Sequence, residues 1–165
     1  MALVPTPGAT SADSYASLAE AQAYMDSLAF AVEWTAATQA QQEGALRAAC
    51  RKLDLLTWRG IKATSAQALA WPRYNVTTRD GYWIDSATVP AFLKNAQSEL
   101  ALRELQEDRA SDPALGQPTR VKAGPVEVEM GQGARRSPAM LPSLVQQMVA
   151  AYLTTSGGGV KLVRA

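Results

Sequence analysis

The chain has 165 residues and a hydrophobic fraction of 47%, which suit a single globular domain with one buried core. Sixteen Lys and Arg residues nearly cancel fifteen Asp and Glu residues, and a formal net charge of +1 excludes a strong overall field for nucleic acid or anionic lipid. The single cysteine excludes an internal disulfide, and the absence of histidine removes the most frequent general base and metal ligand.

Two helices are predicted in the first third of the chain, and each is preceded by a capping box. In the first box Ser17 and Glu20 can satisfy each other's backbone donors, and Thr38 and Gln41 can do the same in the second. Apolar residues at helical spacing follow each box. On the second helix they are Leu46, Ala49, Cys50, Leu53 and Leu56. We expect this stripe to face the core.

Residues 58–89 show no helical period, and a structureless loop of that length is uncommon in a compact domain. The Arg79–Tyr82 segment contains Asp-Gly, which favours a tight hairpin turn between short strands at Val76–Thr77 and Tyr82–Ile84. We call residues 58–89 the aromatic-basic lobe. Its aromatic residues include Trp58, Trp71, Tyr74, Tyr82 and Trp83, and its cations are Arg59, Lys62, Arg73 and Arg79.

Two interpretations of the lobe remain open. Aromatic rings that stack bases, interleaved with cations that follow phosphates, are typical of single-stranded nucleic-acid binding. The four lobe cations, all within residues 58–83, are then the candidate DNA contacts. Alternatively, the tryptophans anchor the lobe to the helices, and the arginines face solvent or a neighbouring subunit. We favour the second interpretation, because four cations are few and the chain is almost neutral.

A third helix is predicted to begin at Pro90, since the first helical turn tolerates a residue without an N–H. Its apolar residues occupy more than one side: Phe92 widens the main stripe, whereas Leu102 and Leu105 lie away from it. Such a helix is buried either by its own fold or by a neighbouring subunit. We predict a subunit interface formed by Phe92, Leu102, Leu105 and Trp83 of the lobe.

The last third of the chain predicts a short hairpin, a helix and a tail. Alternating valine and glutamate at Val126–Glu129 indicates a half-exposed strand, and Arg120–Ala123 is its predicted partner in a hairpin over 119–130. A last helix is predicted from Ser137–Pro138, and its apolar residues lie on one face: Leu141, Leu144, Val145, Met148 and Tyr152.

The tail follows a glycine-rich joint at Ser156–Gly159. It contains Val160, Lys161, Leu162 and Val163. This apolar and basic segment suits the addition of a strand to another protein's sheet edge, and a frayed terminus is the alternative.

Together these elements predict a mainly α protein: a small bundle of about four helices with the hairpin-containing lobe, a second short β-hairpin and a flexible C-terminal tail. Residues 1–156 are predicted to form one domain, with 157–165 as the tail. We predict no enzyme, catalytic residue, metal site or cofactor. Cys50 lies on a core-facing stripe, no carboxylates are placed as an acid–base pair, and no glycine-rich phosphate loop precedes a helix.

We also expect no membrane partner, because no apolar stretch approaches the ~20 residues of a membrane span.

Short motifs are spread along residues 13–153: Asp13–Tyr15, Ser17–Ala21, Ala48–Asp54, Trp58–Gly60, Gln67–Arg73, Asp80–Gly81, Val89–Pro90, Ala96–Gln97 and Glu99–Ala101. In these motifs the sequence resembles a family from tailed-phage structural gene clusters, labelled DnaT-like single-stranded DNA-binding proteins. It is also similar to the head-tail adaptor proteins of long-tailed phages.

The adaptor resemblance implies a homo-oligomeric ring of about twelve copies beneath the portal of the capsid. Such a ring extends the channel for genomic DNA, docks on the portal protein through the tail, and offers a platform to the next neck or tail protein, a stopper or tail terminator. We therefore expect a virion structural protein of the capsid–tail neck, assembled in the host cytoplasm. The DnaT-like label implies the alternative, a single-stranded DNA-binding module.

Overall fold

The computed structural model describes residues 2–106 and 141–154, together with the backbone of 120–123 and 126–129. These residues form a mainly α fold, as predicted. The helices are α1 (Leu18–Asp26), α2 (Val32–Ala36), α3 (Gln39–Asp54), α4 (Ala91–Gln106) and α5 (Ser143–Val149), with a 3-10 turn at Ala150–Tyr152. The strands are β1 (Ile61–Lys62), β2 (Arg73–Tyr74), β3 (Arg120–Ala123) and β4 (Val126–Glu129). The predicted tail contacts at Val160–Val163 lie outside the described residues.

Both predicted capping boxes are present. The Ser17 N–H donates to a carboxylate oxygen of Glu20 at 2.8 Å, and the Ser17 hydroxyl accepts the Glu20 N–H at 3.2 Å. The Thr38 N–H likewise donates to Oε1 of Gln41 at 2.9 Å. Because these bonds satisfy backbone donors that have no partner inside the helix, α1 and α3 begin where the sequence predicts. The predicted stripe is buried at Leu46, Ala49, Cys50 and Leu53, whereas Leu56 lies beyond the end of α3 and is partly buried.

The helix α4 lies at the centre of the fold and packs against α1, α2, α3 and α5. Its surroundings explain why it is apolar on several sides. Leu102 is only 3% exposed, and Phe92 and Leu105 are partly buried against the same core. The prediction of a subunit interface at these three residues assumed that one copy leaves them uncovered. The chain itself buries Leu102 and partly covers Phe92 and Leu105, whereas Trp83 is exposed, and a subunit interface at these four residues stays a prediction.

A fully buried glutamine, Gln97, joins three parts of the fold. Its Oε1 accepts the N–H groups of Tyr15 at 3.0 Å and of Ala16 at 2.8 Å. Its Nε2 donates to the Ser14 hydroxyl at 2.8 Å and to the Leu46 carbonyl at 2.9 Å. These four hydrogen bonds fix the segment before α1 against both α3 and α4.

The five-residue helix α2 was not predicted. It places Trp34 in the core, where the indole N–H donates to Oε1 of Gln22 at 2.9 Å. No side chain caps the start of α2, so its sequence carries no local signal comparable to the boxes of α1 and α3. Packing of the tryptophan stabilises this short helix.

The start of the last helix differs from the prediction. Helix α5 begins at Ser143 rather than at Ser137–Pro138, and Leu141 and Pro142 precede it in non-helical conformation. On the predicted apolar face, Leu141, Val145 and Tyr152 are buried and Met148 is partly buried, but Leu144 is exposed. Val149, which was not predicted on this face, is also buried. Among the helices that the structure describes, none has the length and apolarity needed to cross a bilayer.

The described residues also form two small antiparallel sheets. In the first, β1 and β2 pair within the lobe, with Ile61 opposite Tyr74 and Lys62 opposite Arg73; this pairing was not predicted. In the second, β3 and β4 pair with Val121 opposite Val128, which confirms the predicted hairpin.

Candidate functional site

Two tryptophans anchor the aromatic-basic lobe to the helices. Trp58 and Trp71 are buried and pack edge to face, with ring centroids 5.7 Å apart. Trp71 makes a similar contact with Phe92 of α4 at 5.8 Å, and Phe92 stacks on Tyr152 at 3.8 Å. This row of four rings joins the lobe to α4 and to the 3-10 turn. The anchoring interpretation of the sequence is therefore confirmed for Trp58 and Trp71, whose rings are not accessible to a base.

Arg73 organises the base of the lobe. Its Nε donates to the Arg59 carbonyl at 2.7 Å, Nη1 to the Ala70 carbonyl at 3.0 Å, and Nη2 to the Gly60 carbonyl at 2.7 Å. Burial lowers the pKa of Arg73 below its usual value. Because most of its donors are occupied by backbone carbonyls, Arg73 positions the lobe and is a poor candidate for the phosphate contact that the sequence suggested.

Gly60 allows a close approach of two backbone segments. It has φ of +70°, and a β-carbon added there would lie 2.1 Å from the Tyr74 carbonyl oxygen and 2.7 Å from Cγ2 of Val76. Neither the dihedral angle nor the space accommodates a larger residue.

We expect Gly60→Ala to lower the free energy of unfolding by roughly 2–4 kcal/mol, because it adds a clash with a backbone oxygen to the strain of a positive φ. Gly81→Ala is the matched control: Gly81 has φ of +89° but open space around it, so only the strain of about 1–2 kcal/mol applies. Urea unfolding followed by tryptophan fluorescence measures both. Equal losses in the two variants would show that Gly60 is not tightly packed.

The predicted hairpin protrudes from the lobe. Thr77 and Trp83 pair across it, the Thr78 N–H donates to the Tyr82 carbonyl at 2.7 Å, and the Gly81 N–H closes the turn onto the Thr78 carbonyl at 3.1 Å. Because Gly81 adopts a positive φ, the Asp-Gly turn forms as the sequence predicted. The predicted short strands at Val76–Thr77 and Tyr82–Ile84 are reduced to the isolated bridge between Thr77 and Trp83. Buried Val76 fixes the root of the hairpin.

Three aromatic side chains on the outer side of the lobe are accessible to solvent. Tyr74 is 48% exposed, Tyr82 75% and Trp83 73%. We call them the exposed rings. Ile61, directly opposite Tyr74 on the neighbouring strand, is also exposed. The sequence did not single out Ile61, because its exposure follows from a strand pairing that has no local signal.

The lobe cations differ from the helical cations in their partners. In residues 2–106 and 141–154, the ion pairs are Arg47–Asp13, Arg47–Glu43, Lys52–Glu104, Lys94–Glu20 and Arg103–Glu99. All of these cations lie on helices, and none belongs to the lobe.

Three lobe cations instead contact neutral backbone carbonyls. Arg59 donates to the Leu153 carbonyl at 3.1 Å, Lys62 to the Gln67 carbonyl at 3.5 Å, and Arg79 to the Gln147 carbonyl at 2.7 Å. A carbonyl orients a cation without cancelling its charge. The lobe has four cations and two acids, Asp80 and Asp85, so it retains a net positive charge although the whole chain is nearly neutral.

Cys50, the only cysteine, is buried, and burial raises the pKa of its thiol to about 12. The reactive thiolate is therefore disfavoured at neutral pH. Within the part of the chain that the structure describes, no three His, Cys, Asp or Glu side chains converge on a possible metal site. The sequence-based expectation of no enzymatic activity stays a prediction.

A sequence model of the family described as "Putative DnaT-like ssDNA binding protein" matches residues 1–165. The chain belongs to this family. Comparison with curated proteins and with solved structures found no match. The match supports the DnaT-like part of the resemblance seen in the sequence, and it does not extend to the head-tail adaptor part.

In this DnaT-like chain the residues suggested by sequence fall into two groups. Trp58, Trp71 and Arg73 form the inner part of the lobe and hold it in place. The exposed rings, with Arg59, Lys62 and Arg79, are its solvent-exposed side chains, and we call this set its outer surface. Arg59 donates to the carbonyl of Leu153 and Arg79 to the carbonyl of Gln147, so both arginines are held against residues 147–153.

Proposed function

We propose that the chain binds single-stranded DNA through the outer surface of the aromatic-basic lobe. The observation that carries this proposal is the combination of three exposed rings with cations that have no carboxylate partner among the residues that the structure describes. Rings of this kind stack on unpaired bases while neighbouring cations follow the phosphates. The description of the family that matches the whole chain supports the same function.

The balance of rings and cations favours binding dominated by stacking. Arg73 is occupied internally, which leaves Arg59, Lys62 and Arg79 for phosphates. For single strands the logarithm of the binding constant falls with the logarithm of salt concentration at about −0.7 per neutralised phosphate. Three contacts therefore correspond to a slope of about −2. Duplex DNA presents no unpaired base faces to the rings and is expected to bind more weakly.

This proposal is tested by fluorescence anisotropy with a labelled oligothymidylate and the full chain at several salt concentrations. We expect tighter binding to the oligothymidylate than to a duplex of equal length, and a salt slope no steeper than about −2. Equal affinity for both DNAs, or no binding at low salt, would contradict the proposal.

A pair of charge variants sharpens this test. Arg59→Gln is expected to reduce the salt slope by about 0.7, because one phosphate contact is lost. Arg51→Gln removes an exposed arginine of α3, outside the lobe, and is expected to leave the slope unchanged.

We infer a second candidate function, a virion structural subunit that forms a ring between the portal protein and the next neck or tail protein. Exposed apolar side chains outside the lobe favour it: Phe30 is 85% exposed, and Val32 and Leu55 are also exposed. Phe30 and Val32 lie two residues apart, and large apolar side chains left exposed in one copy are candidates for burial against a second one. Sedimentation velocity over a range of concentrations tests this candidate. Ring formation that is reduced by Phe30→Ser, with DNA binding unchanged, would support it; a monomer at all concentrations would contradict it.

A further inference from the structure

An apolar groove lies between α5 and the residues that follow α3. Its volume is about 370 Å³. It is lined by Leu56, Leu141, Gln146, Val149, Ala150 and Leu153. Val149 and Leu141 form its buried floor, while Ala150 and Gln146 lie at its accessible rim.

We propose that the segment Val160–Val163 of the same chain binds in this groove. The position at which the described chain ends supports this occupant. The Thr154 N–H donates to the Thr57 carbonyl at 2.9 Å, one residue after groove-lining Leu153. Residues 155–159 read Thr-Ser-Gly-Gly-Gly, and a connection of this length with three glycines is sufficient to reverse the chain direction.

The dimensions and chemistry of the segment fit the groove. Helix α5, Ser143–Val149, rises by roughly 9 Å along the groove wall at 1.5 Å per residue, and an extended segment of four residues spans about 10 Å between its first and last Cα atoms. In an extended segment Val160 and Leu162 point to the same side, which places two apolar side chains against the apolar floor. Lys161 then points away from the groove and into solvent.

Binding of the segment from the same chain is favoured over binding of the segment from a second copy, because the tethered segment has the higher effective concentration. A short flexible connection holds a segment at an effective concentration in the millimolar range, which a second copy in dilute solution does not reach. The segment that precedes Leu141 also leaves the described structure at the groove and is the competing occupant.

Disulfide trapping in the full chain tests this contact. The variant Cys50→Ser/Ala150→Cys/Leu162→Cys pairs the rim of the groove with the centre of the segment. Mild oxidation is expected to form an intrachain disulfide at least about tenfold faster than in the matched variant Cys50→Ser/Leu144→Cys/Leu162→Cys. Leu144 is exposed, does not line the groove, and lies about 120° around α5 from Ala150. Equal rates would overturn the proposal, and so would disulfide-linked dimers as the main product.

A second measurement avoids the cysteine substitutions. In the otherwise unchanged chain, Leu162→Asp is expected to accelerate hydrogen exchange of the α5 amides at least about fivefold, since it removes the cover of the groove. Lys161→Ala, which alters the outward side chain, is expected to leave this exchange unchanged. Unchanged exchange in Leu162→Asp would overturn the proposal and point to the segment before Leu141 as the occupant.

Discussion

Replacing Trp83 by alanine is expected to weaken single-stranded DNA binding roughly 5- to 150-fold, because stacking of a base on an aromatic ring contributes about 1–3 kcal/mol. The fold should survive this change. The Trp83 side chain is 73% exposed, and the pairing of Trp83 with Thr77 is a backbone interaction that alanine retains. Anisotropy titration with a labelled oligothymidylate measures the loss, and circular dichroism checks the fold.

Phe30→Ala provides the matched control for Trp83. Phe30 is also a largely exposed aromatic residue, at 85%, but it lies between α1 and α2 and outside the lobe. DNA affinity is expected to be unchanged in Phe30→Ala. Unchanged affinity in Trp83→Ala, or equal losses in both variants, would show that the lobe is not the binding surface.

The second large effect is expected at Gln97. Gln97→Leu should lower the free energy of unfolding by roughly 3–5 kcal/mol, because each buried polar group left without a partner costs about 1–3 kcal/mol. The N–H groups of Tyr15 and Ala16 and the Leu46 carbonyl are among the groups affected. Such a loss is a large fraction of the roughly 5–15 kcal/mol that stabilises a typical domain. Urea unfolding measures it.

The same substitution at an exposed position of α4 serves as the control. Gln106 lies at the exposed end of the helix, so Gln106→Leu is expected to change the free energy of unfolding by no more than about 0.5 kcal/mol. If Gln97→Leu proves as mild as Gln106→Leu, the four hydrogen bonds of Gln97 contribute little to stability.

The inner part of the lobe explains how a short irregular segment can hold its outer surface in a defined position. In the inner part, Trp58, Trp71 and the hydrogen bonds of Arg73 to backbone carbonyls fix the backbone of the lobe. Gly60 allows two backbone segments to approach closely. The exposed rings are then held on a fixed support. A surface of this kind loses less conformational entropy when it binds a ligand than a mobile loop does.

The sequence by itself determined the features that arise from neighbouring residues. The capping boxes at Ser17 and Thr38 set the starts of α1 and α3, because each box is closed within four residues. The Asp-Gly turn at Gly81 and the hairpin over 119–130 were predicted for the same reason, since turn geometry and strand alternation are local.

Only the tertiary structure decided which side chains the fold covers. From the sequence, Leu102 was predicted to lie on an apolar surface that a neighbouring subunit covers. It is buried within the chain, because α4 is surrounded by four other helices. Trp71 and Trp83 are alike in the sequence, yet Trp58 and Phe92 cover the first and nothing in the described chain buries the second. Burial depends on contacts between residues far apart in the chain, and local propensity and periodicity do not specify those contacts.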